Sequence, residues 1–354
     1  MRRRDRGGRR GQLHRRYAIG CVVLWVIVLA GWLALVFLRP PPQRLTVYCA
    51  HDSTFSDPVL RRFGSQTRTH VNAVHDTEAT KSLGLVERLI REKDSPRCDV
   101  FWNNQLLGTL DLHGRGILKP YKGPGFERIP AQYKDPQGHW VGFAARFRVY
   151  IINTEAMEAT PEAVTARLES DDLSRVAIAK PLYGTTLTHY SVLWQRWGEE
   201  KLKAWHQSCR DRGMVEATGN AHVKDMVANG VCDLGFTDTD DFFVAKREGK
   251  PVALLPVRLD DGATICMPNT VALIQGTKHA ERGQAFVDYL LSAECELALS
   301  NSDSRQVPLG PVDESKLNDE VRLLKTWVAD GVSLTDLAEA RSACLAWLKE
   351  LYVQ

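Results

Sequence analysis

The clearest unit of secondary structure in this sequence is GNAHVKDMVANGVCDLGFTDTDD, residues 219–241. A helical pattern over about 220–229 stops at Gly230, a strand follows near 232, and the unit ends in an acidic run. From Leu45 onward, similar short β-rich runs alternate with amphipathic helical stretches. This alternation predicts an α/β protein with mostly parallel sheets.

The size and composition limit the class of protein further. The chain has 354 residues, of which 44% are hydrophobic and 25% are charged, so it is long enough for two domains. These values exclude a small disulfide scaffold, a disordered chain and a polytopic membrane protein. GxSxG, HExxH, P-loop and GxGxxG motifs are all absent from the sequence, so we expect ligand binding and no enzyme activity.

The N-terminus differs from the rest of the chain. Residues 1–16 form a basic tail with eight arginines and one aspartate, whereas the formal net charge of the whole chain is only +3. Residues 17–38 are uncharged and apolar, and as a helix they would measure about 33 Å, which is enough to cross a bilayer. We predict a transmembrane anchor with a cytoplasmic tail, a Pro-rich spacer over 39–44 and an extracytoplasmic body. A cleaved signal peptide is the alternative, and a nucleic-acid-binding arm is not expected.

Seven of the eight cysteines lie in the predicted extracytoplasmic body, where disulfides form. None has CxxC or zinc-ribbon spacing, so a structural zinc site is not predicted. The simplest interpretation is that they are small buried residues, and Cys209 with Cys232 is the pair that we favour if one disulfide forms.

Local signals also predict where two helices begin. Thr160-Pro161 combines a capping residue with proline at the first helical position. Ser333-x-x-Asp336 has the spacing of a capping box and predicts the start of the last helix.

Polar residues follow the predicted strands at their carboxyl ends, where open α/β sheets bind ligands. The candidate ligand-binding residues are His51, Asp52, Asp76, Thr77, Glu78, Asn103, Asn104, Thr185, Thr186, Asp238, Asp240 and Asp241. Helix capping alone is the competing explanation for Thr77 and for Asp238 or Asp240.

The run Thr237–Asp241 is the most informative of these groups. Its three carboxylates repel one another unless a cation, an amine or a helix N-terminus offsets their charge. Gly184-Thr185-Thr186 precedes a helix and has the opposite polarity, because free backbone N–H groups there could hold an anion.

The body resembles a substrate-binding protein of an ABC-type importer, in the two-lobed class that includes ferric-iron-binding proteins. The similarity covers most of 45–309, including LTVYCAHD, CDVFWNN, GFAARFRVYIINTE, RVAIAKPLYGTT and GNAHVKDMVANGVCDLGFTDTDD. It implies a first lobe of residues 45–142 and 256–354, a second lobe of residues 143–255, and hinge closure over one ligand. It also implies an ABC permease and its ATPase as partners.

The resemblance leaves the ligand open. Ferric-binding relatives use a histidine after the first strand, a glutamate after the DVF strand and two adjacent tyrosines in the second lobe. Here His51 is close to the first, Asn104 stands at the carboxylate position, and Thr239-Asp240 stands at the tyrosines.

Two classes of ligand therefore remain. Hard cations accept oxygen ligands, so we predict ferric iron or another metal at His51, Glu78, Asp238, Asp240 and Asp241. The alternative ligand is a small zwitterionic or phosphoryl solute with its anionic end at Thr185 and Thr186. An extracytoplasmic enzyme and a ligand sensor are the alternative functional classes.

Overall fold

The computed structural model describes residues 43–76 and 83–352, together with Trp25. The predicted basic tail, nearly all of the predicted anchor at 17–38 and most of the spacer lie outside the described residues, as do Thr77 and Glu78. Within the described ranges, no helix combines the length and the apolarity needed to cross a bilayer. The anchor therefore stays a prediction from the sequence.

In the part of the chain that the structure describes, ten strands form the sheet structure. In chain order they are β1 (Gln43–Cys49), β2 (Thr69–His75), β3 (Val100–Asn103), β4 (Leu118–Lys119), β5 (Val141–Asn153), β6 (Val176–Ala179), β7 (Val215–Ala217), β8 (Leu234–Asp238), β9 (Val252–Pro256) and β10 (Cys266–Ile274). Strands β3, β6 and β8 are buried along their whole length, and their sequences are apolar except at the carboxyl ends of β3 and β8.

The strands follow the order β2-β1-β3-β10-β5-β8-β6-β7, with β4 added beside β10 and β9 beside β5. The pairs β1–β3, β6–β7 and β6–β8 are parallel, whereas β5 and β10 pair antiparallel with their neighbours. Strand β5 pairs with β10 through Phe147 and with β8 from Arg148 onward, so one long strand connects the two α/β lobes.

Helices cover the sheets. They are α1 (Ser53–Thr67), α2 (Leu83–Arg91), α3 (Leu107–Gly114), α4 (Pro161–Glu169), α5 (Gly184–Trp197), α6 (Glu199–Asp211), α7 (Asn220–Ala228), α8 (Thr239–Arg247), α9 (Ala280–Leu290), α10 (Ala293–Ser300), α11 (Asp319–Thr326) and α12 (Ala338–Tyr352). Single 3₁₀ turns occur at Phe126–Arg128, Ala131–Tyr133 and Glu314–Lys316.

The two predicted helix starts have different outcomes. Thr160 caps α4 as predicted, because its hydroxyl accepts a hydrogen bond from the Ala163 N–H at 3.2 Å. The predicted capping box at Ser333 is wrong, since α12 begins only at Ala338. The Ser333 hydroxyl instead lies 2.9 Å from that of Thr335, so a local side-chain contact replaces the cap.

The described cysteines are buried and unpaired, so the predicted Cys209–Cys232 disulfide is wrong. Cys209 lies in α6, and Cys232 lies just before β8 within a different apolar cluster. The other interpretation of the sequence, small buried apolar residues, matches this arrangement.

Candidate functional site

A cavity of about 710 Å³ lies at the carboxyl ends of β6, β7 and β8. Its walls include the beginnings of α5, α7 and α8, as expected for ligand sites in open α/β sheets. The lining residues are Asp52, Arg146, Ala179, Lys180, Tyr183, Gly184, Thr185, Thr186, Thr218, Gly219, Asn220, Ala221, His222, Asp225, Asp238, Asp240 and Asp241.

The most buried charge of this cavity is Asp238, at the end of β8, and two arginines of β5 neutralise it. Arg148 Nη1 lies 2.8 Å from Asp238 Oδ1, and Arg146 Nε lies 3.2 Å from Asp238 Oδ2. Arg146 and Arg148 are two residues apart in a strand, so both side chains emerge on one face. Buried ion pairs of this kind need both partners, because a lone buried charge is strongly unfavourable.

Hydrogen bonds from uncharged side chains complete the surroundings of Asp238. The Thr185 hydroxyl donates to Asp238 Oδ2 at 2.6 Å, and Asn220 Nδ2 donates to the same oxygen at 3.1 Å. Asn220 in turn accepts hydrogen bonds at its Oδ1 from Arg148 Nη1 and from the Thr186 hydroxyl. This network joins the starts of α5 and α7 to the end of β8.

The pKa of Asp238 reflects this network. Burial acts to raise the pKa of the carboxyl, but the charges of Arg148 and Arg146 and the hydrogen bond from Thr185 outweigh it and hold the pKa below its ordinary value. Asp238 therefore stays ionised, and its oxygens are engaged by the protein itself.

Asp240 and Asp241 lie in the first turn of α8 and are half-buried at the cavity wall. One carboxylate oxygen each of Asp238, Asp240 and Asp241 lies within 4.8 Å of the others. Asp241 accepts a hydrogen bond from the Thr237 hydroxyl at 2.9 Å, and Asp240 Oδ2 lies 3.9 Å from Arg146 Nε. Hard cations favour this donor set of carboxylate oxygens.

The same cavity also contains groups that attract anions. Helix α5 begins at Gly184 and α7 at Asn220, and among the described residues no side chain caps either N-terminus through a hydrogen bond at the N-cap position. Gly184 has a φ of +63°, which favours glycine, at the turn into α5. With Lys180 beside them, these helix starts favour an anionic group.

The structure brings together six of the twelve residues predicted from sequence. These are Asp52, Thr185, Thr186, Asp238, Asp240 and Asp241. Asn104 is adjacent, because its backbone carbonyl accepts a hydrogen bond from Arg146 Nη1 at 2.5 Å.

The remaining described candidates have other contacts. His51 is buried against Trp102, and Gln306 Nε2 lies 3.1 Å from its Nε2. Asn103 Nδ2 donates to the Thr109 hydroxyl, and Asp76 Oδ2 accepts from the Leu85 N–H. None of the three is among the residues that line the cavity in the described part of the chain.

Sequence reasoning missed the basic and amide members of the site. The available signal for Arg146 and Arg148 was their position in the sequence. They are separated by one residue within the otherwise apolar run GFAARFRVYII. Lys180, directly after the buried strand β6, was a second signal. Nothing local distinguished Asn220 from an ordinary helix start.

Comparisons with known proteins agree with this architecture. The family model described as bacterial extracellular solute-binding protein matches residues 45–301. Iron uptake protein A1 of Synechocystis sp. is 22% identical over 313 residues, which cover 84% of each chain.

Solved structures share the fold. Iron-bound HitA from Pseudomonas aeruginosa superposes with a TM-score of 0.75 at 20% identity, covering 88% of this chain and 100% of HitA. The periplasmic binding protein AfuA from Actinobacillus pleuropneumoniae, with fructose-6-phosphate bound, gives a TM-score of 0.68 at 17% identity, covering 88% and 99%. At these identities the superpositions establish the two-lobed fold. The family match spans well over half of the sequence, and the chain therefore belongs to the bacterial extracellular solute-binding protein family.

Proposed function

We propose that this protein captures ferric iron between its two lobes and delivers it to an ABC-type permease with its ATPase. Family membership supports the transport role, while the Synechocystis iron uptake protein and iron-bound HitA support iron as the cargo. The role is capture without turnover. The predicted N-terminal anchor would keep the protein beside its permease and raise its local concentration there.

The observation that carries the proposal is the carboxylate cluster of Asp238, Asp240 and Asp241 on the cavity wall. Asp240 and Asp241 would bind the metal directly, because Asp238 already engages two arginines. Asp52, on the same cavity, is a further oxygen donor.

The basic groups of the cavity indicate that the iron is bound together with an anion. A bare metal ion needs far less room than about 710 Å³, and two or three carboxylates leave part of an iron coordination sphere open. Lys180, Arg146 and the starts of α5 and α7 would hold an anionic oxygen ligand that completes it. We therefore propose that iron is bound together with a small carboxylate or phosphate anion.

The test is isothermal titration of the full-length protein with ferric citrate, and with iron-free citrate as the reference. Asp240→Ala combined with Asp241→Ala should abolish the iron-dependent heat while circular dichroism stays unchanged. The matched control is Asp260→Ala with Asp261→Ala, an adjacent pair of exposed acids outside the cavity. Equal affinity of the two double variants would overturn the proposed ligands.

A phosphorylated sugar bound without metal is the second candidate. The observation that favours it is the pair of helix N-termini beside Lys180, together with the fructose-6-phosphate in the AfuA structure. This alternative predicts that fructose 6-phosphate binds metal-free protein and that Lys180→Ala abolishes this binding. Absence of heat with metal-free protein would exclude it.

A further inference from the structure

A second group of metal-ligating side chains lies outside the cavity. His113 is in the last turn of α3, and Asp135 and His139 belong to the hairpin that precedes β5. None of the three lines the cavity described above.

The three side chains converge on one point. One ligand atom from each lies within 4.8 Å of the other two. The Asp135 Oδ2 atom is 2.7 Å from His139 Nδ1, and the imidazole rings of His113 and His139 have centroids 4.4 Å apart. His139 is 18% exposed and Asp135 is 10% exposed, so an ion can enter from solvent.

The hairpin holds two of these ligands in place. Lys134 and Val141 form a β-bridge, and the Asp135 N–H donates to the Trp140 carbonyl at 3.1 Å. Gly138 closes the turn at a φ of +88°, and a Cβ there would lie only 2.9 Å from the Tyr121 carbonyl oxygen. The close approach requires glycine and fixes the direction of the flanking residues.

The electrostatics of the group also suit a cation. Burial acts to raise the pKa of Asp135, but hydrogen bonds from the His139 backbone and ring, and the charges of His113 and His139, lower it overall. Asp135 is therefore an anion at neutral pH, and its negative charge beside the two imidazole rings favours a cation.

We propose that His113, Asp135 and His139 form a binding site for a divalent transition metal ion such as Zn²⁺ or Cu²⁺. Two imidazole nitrogens and one carboxylate oxygen make up a donor set that these ions favour over Mg²⁺ or Ca²⁺, and water completes the coordination. The ion would tie the end of α3 to the hairpin before β5. The site is separate from the cavity, so it does not depend on the proposed cargo.

The test uses the full-length protein without a histidine tag, treated with a chelator and then titrated with Cu²⁺ and Zn²⁺. We expect one tight equivalent of Cu²⁺ whose electron paramagnetic resonance spectrum shows coupling to two imidazole nitrogens. His113→Ala and His139→Ala should each lower Zn²⁺ affinity at least about tenfold and leave one coupled nitrogen. Because His113 is in a helix and makes no backbone turn, its variant remains informative if His139→Ala disturbs the hairpin.

The matched control is His75→Ala. It removes an imidazole that lies 3.0 Å from Asp57 and that belongs to neither group of three metal-ligating side chains in the described part of the chain. This variant, and the cavity variant at Asp240 and Asp241, should keep both coupled nitrogens. The proposal is overturned if no tight equivalent binds, or if the spectrum is the same in His113→Ala as in the wild type.

Discussion

Arg148 Nη1 lies 2.8 Å from Asp238 Oδ1, and the arginine side chain has no solvent exposure. The pair joins the long strand β5 to the end of β8, where Asp238 lines the cavity. Arg146 contacts the other oxygen of the same carboxylate and also lies 3.9 Å from Asp240 Oδ2, so Asp238 is the counter-charge that the two buried guanidinium groups share.

Asp238→Asn should therefore destabilise the fold strongly. It leaves Arg146 and Arg148 without their shared counter-charge, and removal of one partner of a buried pair typically costs about 3–5 kcal/mol. Urea unfolding followed by circular dichroism measures the loss. Asp260→Asn, which breaks an exposed pair with Lys201, is the control and should change stability little. Equal stabilities of the two variants would contradict the structural role of Asp238.

The same carboxyl predicts an acid dependence of stability. Its folded-state pKa is depressed below the ordinary value of 3.8, so its contribution is fully present above that value and is lost as pH falls through the folded-state pKa. Unfolding free energies measured from about pH 6 down to pH 3 should decrease more steeply in the wild type than in Asp238→Asn. Parallel curves for the two proteins would show that Asp238 does not titrate in this way.

A second buried carboxylate ties α10 to the lobe-connecting strand. Glu296 is fully buried and accepts hydrogen bonds from the backbone N–H groups of Ala144, Leu309 and Gly310. Glu296→Ala leaves these donors unsatisfied and should cost roughly 3 kcal/mol in unfolding free energy. The neighbouring Glu294→Ala removes an exposed pair with Arg62 and an exposed hydrogen bond from Gln66, and it should have little effect in the same urea experiment.

The buried thiols should be unreactive in the folded protein. Burial raises the pKa of both Cys49 and Cys266 to about 12, so neither forms a thiolate near neutral pH. Mass spectrometry after iodoacetamide treatment should find the seven described cysteines unmodified in native protein and modified after unfolding without reductant. A pair that is modified only after reduction would reveal a disulfide and contradict the structure.

Much of the fold could be predicted from the sequence because its signals are local. The helix in residues 220–229 and the buried strand after it occur as predicted, as α7 and β8. The cap at Thr160 is another local signal that the structure confirms. The predicted capping box at Ser333 is wrong because the hydroxyl of a short polar residue can form a hydrogen bond with a neighbouring hydroxyl as easily as with the N-terminus of a helix.

The candidate site was less predictable, because its residues meet only after the chain has crossed between lobes. The acidic run at Asp238–Asp241 is visible in the sequence, but its two arginine partners lie about ninety residues earlier. His51 follows the end of a strand as expected, but its ring packs against Trp102 and is buried. The lobe boundaries at 142 and 256 and the metal-ligand set stay predictions.

Capture of iron by the cavity is tested most directly by native mass spectrometry and metal analysis on one sample of the full-length protein. The protein is incubated with ferric citrate and freed of excess ligand before measurement. We expect one iron in the cavity together with the mass of a small anion, and loss of both in the Asp240→Ala, Asp241→Ala double variant. Metal-free protein, or iron that the double variant retains in full, would show that this cavity does not capture iron.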